Sequence, residues 1–168
     1  WGSMIYETTL PDVAQSSLLT IAACHDFAQV FIDGKYIGKI DRVKNEKSLM
    51  LPAIKSGQRL TILLEAMGRI NFGRAIKDFK GITERVTLTS DIEGHEQTID
   101  LKNWTIATLP DDYATAQKAF NASHSSLLTP LSSKSGYYRG VFNLKKTGDT
   151  FINMEAFGKG QVYVNGHA

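Results

Sequence analysis

The sequence predicts an all-β protein, an antiparallel β-sandwich or jelly roll with one short helix. Three observations carry this. About eight short segments rich in β-branched and aromatic residues recur with turn signals between them, the rhythm of a sandwich rather than of βαβ units. The stretch Gln29-Val30-Phe31-Ile32 runs into Asp33-Gly34, the pair that a two-residue hairpin turn needs. The same pattern recurs as Gln161-Val162-Tyr163-Val164-Asn165-Gly166.

In chain order, residues 4–10 alternate loosely and stop at Pro11, which closes a strand. Residues 17–23 form an apolar strand of the kind found at a sandwich centre. Cys24 ends that run and reads as a small buried hydrophobe rather than a nucleophile. The hairpin 29–40 follows, with Val30 and Ile32 facing one way and Gln29 and Phe31 the other. Residues 46–51 make a short strand ended by Pro52, and Lys55-Ser56-Gly57-Gln58 a turn. Residues 59–65, Arg-Leu-Thr-Ile-Leu-Leu-Glu, form the strongest strand. Residues 81–89 are expected as one strand, then a turn at Glu93-Gly94, a return over 95–101, and a closing strand over 104–109. Pro110-Asp111-Asp112 opens a helix over 111–122, where Tyr113, Ala116, Ala119 and Phe120 recur at helical spacing. Residues 123–135 are Ser-rich and read as a connector; 136–144 and 150–155 return to strand. The expected division is therefore a first jelly roll over 1–109, a helix and connector over 110–135, and the start of a second jelly roll over 136–168.

Aligning the chain on itself places Gln29-Val30 on Gln161-Val162 and Ile32-Asp33-Gly34 on Val164-Asn165-Gly166. One reading is that hairpins draw on few residue types and so look alike. The other is two related sandwich domains, the second cut short. On that reading the chain is a fragment, with an open sheet edge at 161–168 through which an oligomer forms.

Composition narrows the function classes. Hydrophobic residues are 42% and charged residues 21%, with a net charge of +2 from 19 basic and 17 acidic side chains. No basic run points to nucleic acid, and no apolar stretch reaches the roughly 20 residues of a membrane helix. The single cysteine excludes an internal disulfide and a multi-cysteine metal site; no cofactor and no metal are expected.

The segment 65–81 stands apart. It carries Gly68, Gly73 and Gly81, several basic residues, and Asn71 beside Phe72, and it lies between two strong strands. Loops of that length are more often functional than plain connectors. Arg69, Asn71 and Phe72 offer hydrogen bonds to sugar hydroxyls and a face to stack on a sugar ring. The plainer alternative is a solvated loop whose Arg69 and Asp78 pair with neighbours. The glycine spacing matches neither a dinucleotide fingerprint nor a phosphate loop.

Four motifs carry a family resemblance. Trp1-Gly2-Ser3-Met4-Ile5-Tyr6-Glu7-Thr8-Thr9-Leu10-Pro11 resembles the start of the β-domains of glycoside hydrolase family 35 β-galactosidases. Leu64-Glu65-Ala66-Met67-Gly68-Arg69-Ile70-Asn71-Phe72-Gly73 resembles that family's Glu-Asn-Met-Gly-Arg-Val-Asn-Tyr-Gly. Asp78-Phe79-Lys80-Gly81-Ile82 matches its Asp-x-Lys-Gly run, and 158–166 its Lys-Gly-x-Val…Asn-Gly hairpin. The resemblance implies a catalytic (β/α)8 barrel followed by two galactose-binding-domain-like jelly rolls, with this chain supplying the first and the start of the second. The barrel would hold the two glutamates of a retaining mechanism. None of Glu7, Glu65, Glu84, Glu93, Glu96 or Glu155 lies in a family catalytic motif, so the chain alone is expected to be inactive. Its implied partners are that barrel and galactosides. The glycine-spaced loop would lean toward the barrel mouth, with Phe72 at a position where the family has Tyr: the stacking face is kept and the hydroxyl lost. Ala66 likewise stands where the family has Asn. Two further readings are an independent carbohydrate-binding module and a purely structural interaction domain. A periplasmic or secreted setting is expected, although the lone cysteine suits a cytosolic one equally.

Overall fold

The computed structural model describes residues 2–74, 76–122, 137–157 and 160–168. The chain divides into two compact units, Trp1–Pro110 and Asp111–Ala168.

The first unit is an antiparallel sandwich. Its larger sheet takes the order β11 (Thr105–Leu109), β1 (Gly2–Thr9), β7 (Arg59–Ala66), β4 (Phe27–Ile32), β5 (Lys35–Asp41). The smaller sheet is β10 (His95–Asp100), β9 (Val86–Ile92), β2 (Ser17–Ile21), β6 (Ser48–Leu51). A two-stranded ladder joins β3 (Cys24–His25) to β8 (Gly81–Ile82). Strand β7 is central: it pairs with β1 on one side and β4 on the other. Its alternation explains why. Leu60, Ile62 and Leu64 are fully buried, each worth about 1.5–3 kcal/mol against exposure. They meet Val30 and Ala28 from β4 and Leu19, Ile21 and Leu88 from the facing sheet in one core.

The hairpin β4–β5 turns at Asp33 (φ 49°) and Gly34 (φ 76°), the positive pair of a type I′ turn. A bulge between Val30 and Phe31 offsets its register. Asp33 does more than turn the chain. Its carboxylate accepts from the Arg59 amide at 2.9 Å and from Gln58 Nε2 at 2.8 Å, which ties the turn to the start of β7.

Three expectations change. The single strand foreseen over 81–89 is two. Gly81–Ile82 pairs with Cys24–His25, the exposed trio Thr83-Glu84-Arg85 steps across, and Val86–Ile92 joins the other sheet. Apolar spacing runs straight through that step, so it hides the break.

In the second unit the helix forms as α1 (Tyr113–Ala122), with the Asp112 carboxylate accepting from the Thr115 amide at 2.6 Å. The strands foreseen over 136–144 and 150–155 do not form among the described residues, where Val141, Phe142 and Phe151 are exposed. The turn signal at Asn165 (φ 51°) and Gly166 (φ 89°) is obeyed, yet it closes only a single bridge, Val164 to His167. The described residues of 161–168 therefore present a turn and not the sheet edge expected there. A turn is a local property, whereas a ladder needs a partner strand. The serine-rich connector 123–135 lies outside the described residues.

Candidate functional site

The loop 67–80 leaves the end of β7 and returns at β8. Its two ends meet at one side chain. Asp26, between β3 and β4, has a carboxylate only 7% exposed. Its Oδ2 accepts from the Met67 amide at the start of the loop (2.9 Å) and from Lys80 Nζ at its end (2.7 Å). Its Oδ1 accepts from Arg42 Nη1 at 2.7 Å. Arg42 stands in a 3₁₀ turn, Arg42–Lys44, whose N-cap Asp41 accepts from the Val43 amide at 3.0 Å. The guanidinium fork also grips Asp78, Nη1 to Oδ2 at 2.9 Å and Nη2 to Oδ1 at 2.8 Å. Lys80 reaches the same Asp78 at 2.8 Å. His25 donates from Nδ1 to the Phe79 carbonyl, which can only accept, and lies 3.7 Å from Asp78.

Two buried carboxylates thus face two cations. The titration behaviour follows. Hydrogen bonds from Arg42 and then Lys80 hold the Asp78 carboxyl well below the usual carboxylate range. For Asp26, burial opposes ionisation, but hydrogen bonds from Lys80 and Arg42 and the Met67 amide outweigh it, so its pKa also falls. Burial likewise works against the Lys80 charge and is outweighed by Asp26 and Asp78, so that pKa rises. The Arg42 pKa is raised by its hydrogen bonds to Asp78 and Asp26. Nearby, burial and then the Asp26 charge push the Cys24 thiol up to about 11. Cys24 is a buried packing residue held as a thiol, as its apolar surroundings foretold.

Gly81 fixes the direction in which the loop returns. Its φ is +104°, and a Cβ there would lie 2.6 Å from the Tyr6 hydroxyl. That hydroxyl accepts from the Ile82 amide at 3.2 Å, and the Tyr6 ring meets Trp104 edge-on. The Tyr6 and Lys80-Gly81 motifs, far apart in sequence, are therefore one joint.

Beyond the base the described residues of the loop are exposed. Arg69, Ile70, Asn71, Phe72 and Gly73 are all exposed, Phe72 to 89%. Ile76 and Phe79 are exposed as well. The three residues singled out in the sequence, Arg69, Asn71 and Phe72, do share one loop tip. Asp78 does pair with neighbours, but these are Arg42 and Lys80. Ala66 is buried at the end of β7, on the core side of that strand. Sequence reasoning missed the clamp of Asp26, Arg42, Lys80 and His25. Of these only Lys80 lay in a motif that the sequence displayed, Asp78-Phe79-Lys80-Gly81-Ile82. Asp26 and Arg42 come from other elements and give no local signal.

This fold and loop define an all-β sandwich domain with one specialised loop. Comparison with known proteins makes the assignment particular. Residues 1–110 match the family described as beta-galactosidase, first all-beta domain, and residues 136–168 match beta-galactosidase, galactose-binding domain. The chain belongs to the β-galactosidase family and corresponds to its non-catalytic all-β domains. It is 33% identical over 183 residues to a beta-galactosidase of Canis lupus familiaris, covering 99% of this chain and 26% of the relative. It is 32% identical to that of Homo sapiens over 188 residues and to beta-galactosidase 1 of Dictyostelium discoideum over 182, each match covering 99% of this chain and 26% of the relative. The chain spans about a quarter of the length of the curated relatives it matches.

Proposed function

We propose that this chain is the β-sandwich portion of a β-galactosidase that hydrolyses terminal β-galactosyl residues with a separate catalytic domain. The sandwich packs on that domain and helps shape the mouth of its active site. The observation that carries this is the loop 67–80: clamped at its base by a buried charge cluster, yet exposing Met67, Ile70, Phe72, Ile76 and Phe79 to solvent. Apolar side chains gathered on one such projection mark a contact surface. At the tip, Phe72 serves as an apolar wall for the part of the substrate beyond the galactosyl unit, and Asn71 and Arg69 supply hydrogen-bond donors beside it.

The test is Phe72→Ala in a β-galactosidase polypeptide that joins these domains to the catalytic one. KM for a β-galactosyl disaccharide should rise several-fold, in the range that one lost apolar contact gives, with kcat changed less. Unchanged constants on disaccharides would remove the wall from the account.

A further inference from the structure

We propose that Asp26 is a positioning residue: its single carboxylate holds both ends of the loop 67–80 and so sets where the loop tip stands. The functional half of this inference rests on the reading above, in which that tip walls an active-site mouth.

The argument is geometric. Asp26 Oδ2 takes the Met67 amide at the start of the loop and Lys80 Nζ at its end. One oxygen atom thereby brings together two points that a long excursion of chain separates. The other oxygen takes Arg42, which in turn carries Asp78 two residues before the end of the loop. Asp26 is itself held by its backbone, which donates to the Glu65 carbonyl at 3.2 Å and accepts from the Arg42 amide at 3.0 Å. It therefore links the loop to β7 and to the turn after β5, both rooted in the sandwich. The side chain is almost wholly buried, so solvent does not compete for these bonds. The tip residues Arg69–Gly73 are exposed, whereas the side-chain bonds that tie the loop to the sandwich lie at its base. Apolar packing in place of a buried ion pair often costs no stability, so stability alone does not account for such a cluster. Here the charges join one loop start to one loop end, a task that apolar side chains of that size do not perform with the same directionality.

The experiment uses trypsin on the folded 168-residue chain, with mass spectrometry reading the Arg69–Ile70 and Arg74–Ala75 bonds. Asp26→Asn keeps the shape and one acceptor but removes the charge. Cleavage at these two bonds should speed up by about tenfold, the change in open population set by losing charge-assisted hydrogen bonds. Lys80→Met frees only the loop end and should speed cleavage by a smaller factor. It also serves should the Asp26 variant fail to fold. Ile62→Val, a core change on β7, separates positioning from general stability: it lowers the melting temperature and should leave native-state cleavage at these bonds unchanged. Equal cleavage in the wild-type chain, Asp26→Asn and Lys80→Met overturns the proposal, as does equal acceleration by Ile62→Val. In the longer polypeptide, Asp26→Asn should raise KM for disaccharides with kcat largely kept. Faster loop cleavage with unchanged KM leaves the clamp standing and removes the wall role of the tip.

Discussion

The base and the tip of one loop obey opposite rules. At the base, the buried carboxylates of Asp26 and Asp78 are neutralised by the largely buried Lys80 and by Arg42, whose side chain still reaches solvent. At the tip, Arg69, Asn71 and Phe72 stand in solvent. Stability is concentrated where the loop joins the sandwich, and the chemistry available to a partner is concentrated where the loop leaves it. A loop that had to be merely long would need neither.

The largest effect should come from breaking the base. Asp26→Ala strips the acceptor from Met67, Arg42 and Lys80 and leaves the two cations to share the single counter-charge of Asp78. A loss of about 3–5 kcal/mol in denaturant unfolding is expected.

Next is Gly81→Ala, which puts a side chain at φ +104° and against the Tyr6 hydroxyl. The strain of that backbone alone is about 1–3 kcal/mol, and the clash adds to it. In combination with Tyr6→Phe part of the loss should return, since the nearest clashing atom is then gone; strictly additive losses would contradict the joint described here.

A smaller effect should appear on acidification. The carboxyls of Asp26 and Asp78 have pKa values lowered by folding, so their contribution is present above the unfolded value of about 3.9 and is lost as pH falls through the lower folded values. The Lys80 value is raised, so its contribution persists through neutral pH and fades only above about 10, while Arg42, raised as well, stays charged throughout. Melting temperature against pH should therefore be steepest below about pH 4, and Asp26→Asn should flatten that slope.

The smallest change belongs to the tip. Phe72→Ala should alter the stability of the isolated chain by no more than about 0.5 kcal/mol, because an 89% exposed ring loses almost no packing. A larger loss in thermal unfolding would mean that the tip is packed after all.

How far the sequence reveals all this differs between the two regions. The tip was legible because its residues are neighbours in the chain, and so was β7, whose alternation marks a half-buried strand. The turn at Asp33-Gly34 was equally legible, and Asn165-Gly166 adopts the same positive φ pair. The difference between those turns lies outside the turns. Ile32 and Lys35 continue into a ladder, whereas Val164 and His167 make one bridge. Likewise the break at Thr83-Glu84-Arg85 is set by which sheet each side joins, and the clamp by three elements converging on Asp26. Local chemistry writes turns and alternation into the sequence; the choice of partner is written nowhere in one place.

The most direct test of the proposal that the catalytic domain covers the loop tip is tryptic cleavage at Arg69–Ile70, compared between this chain and a β-galactosidase polypeptide that also carries that domain. Strong protection of that bond is expected in the longer polypeptide, with the exposed tip of the chain alone cut faster. Equal cleavage rates in the two would contradict it.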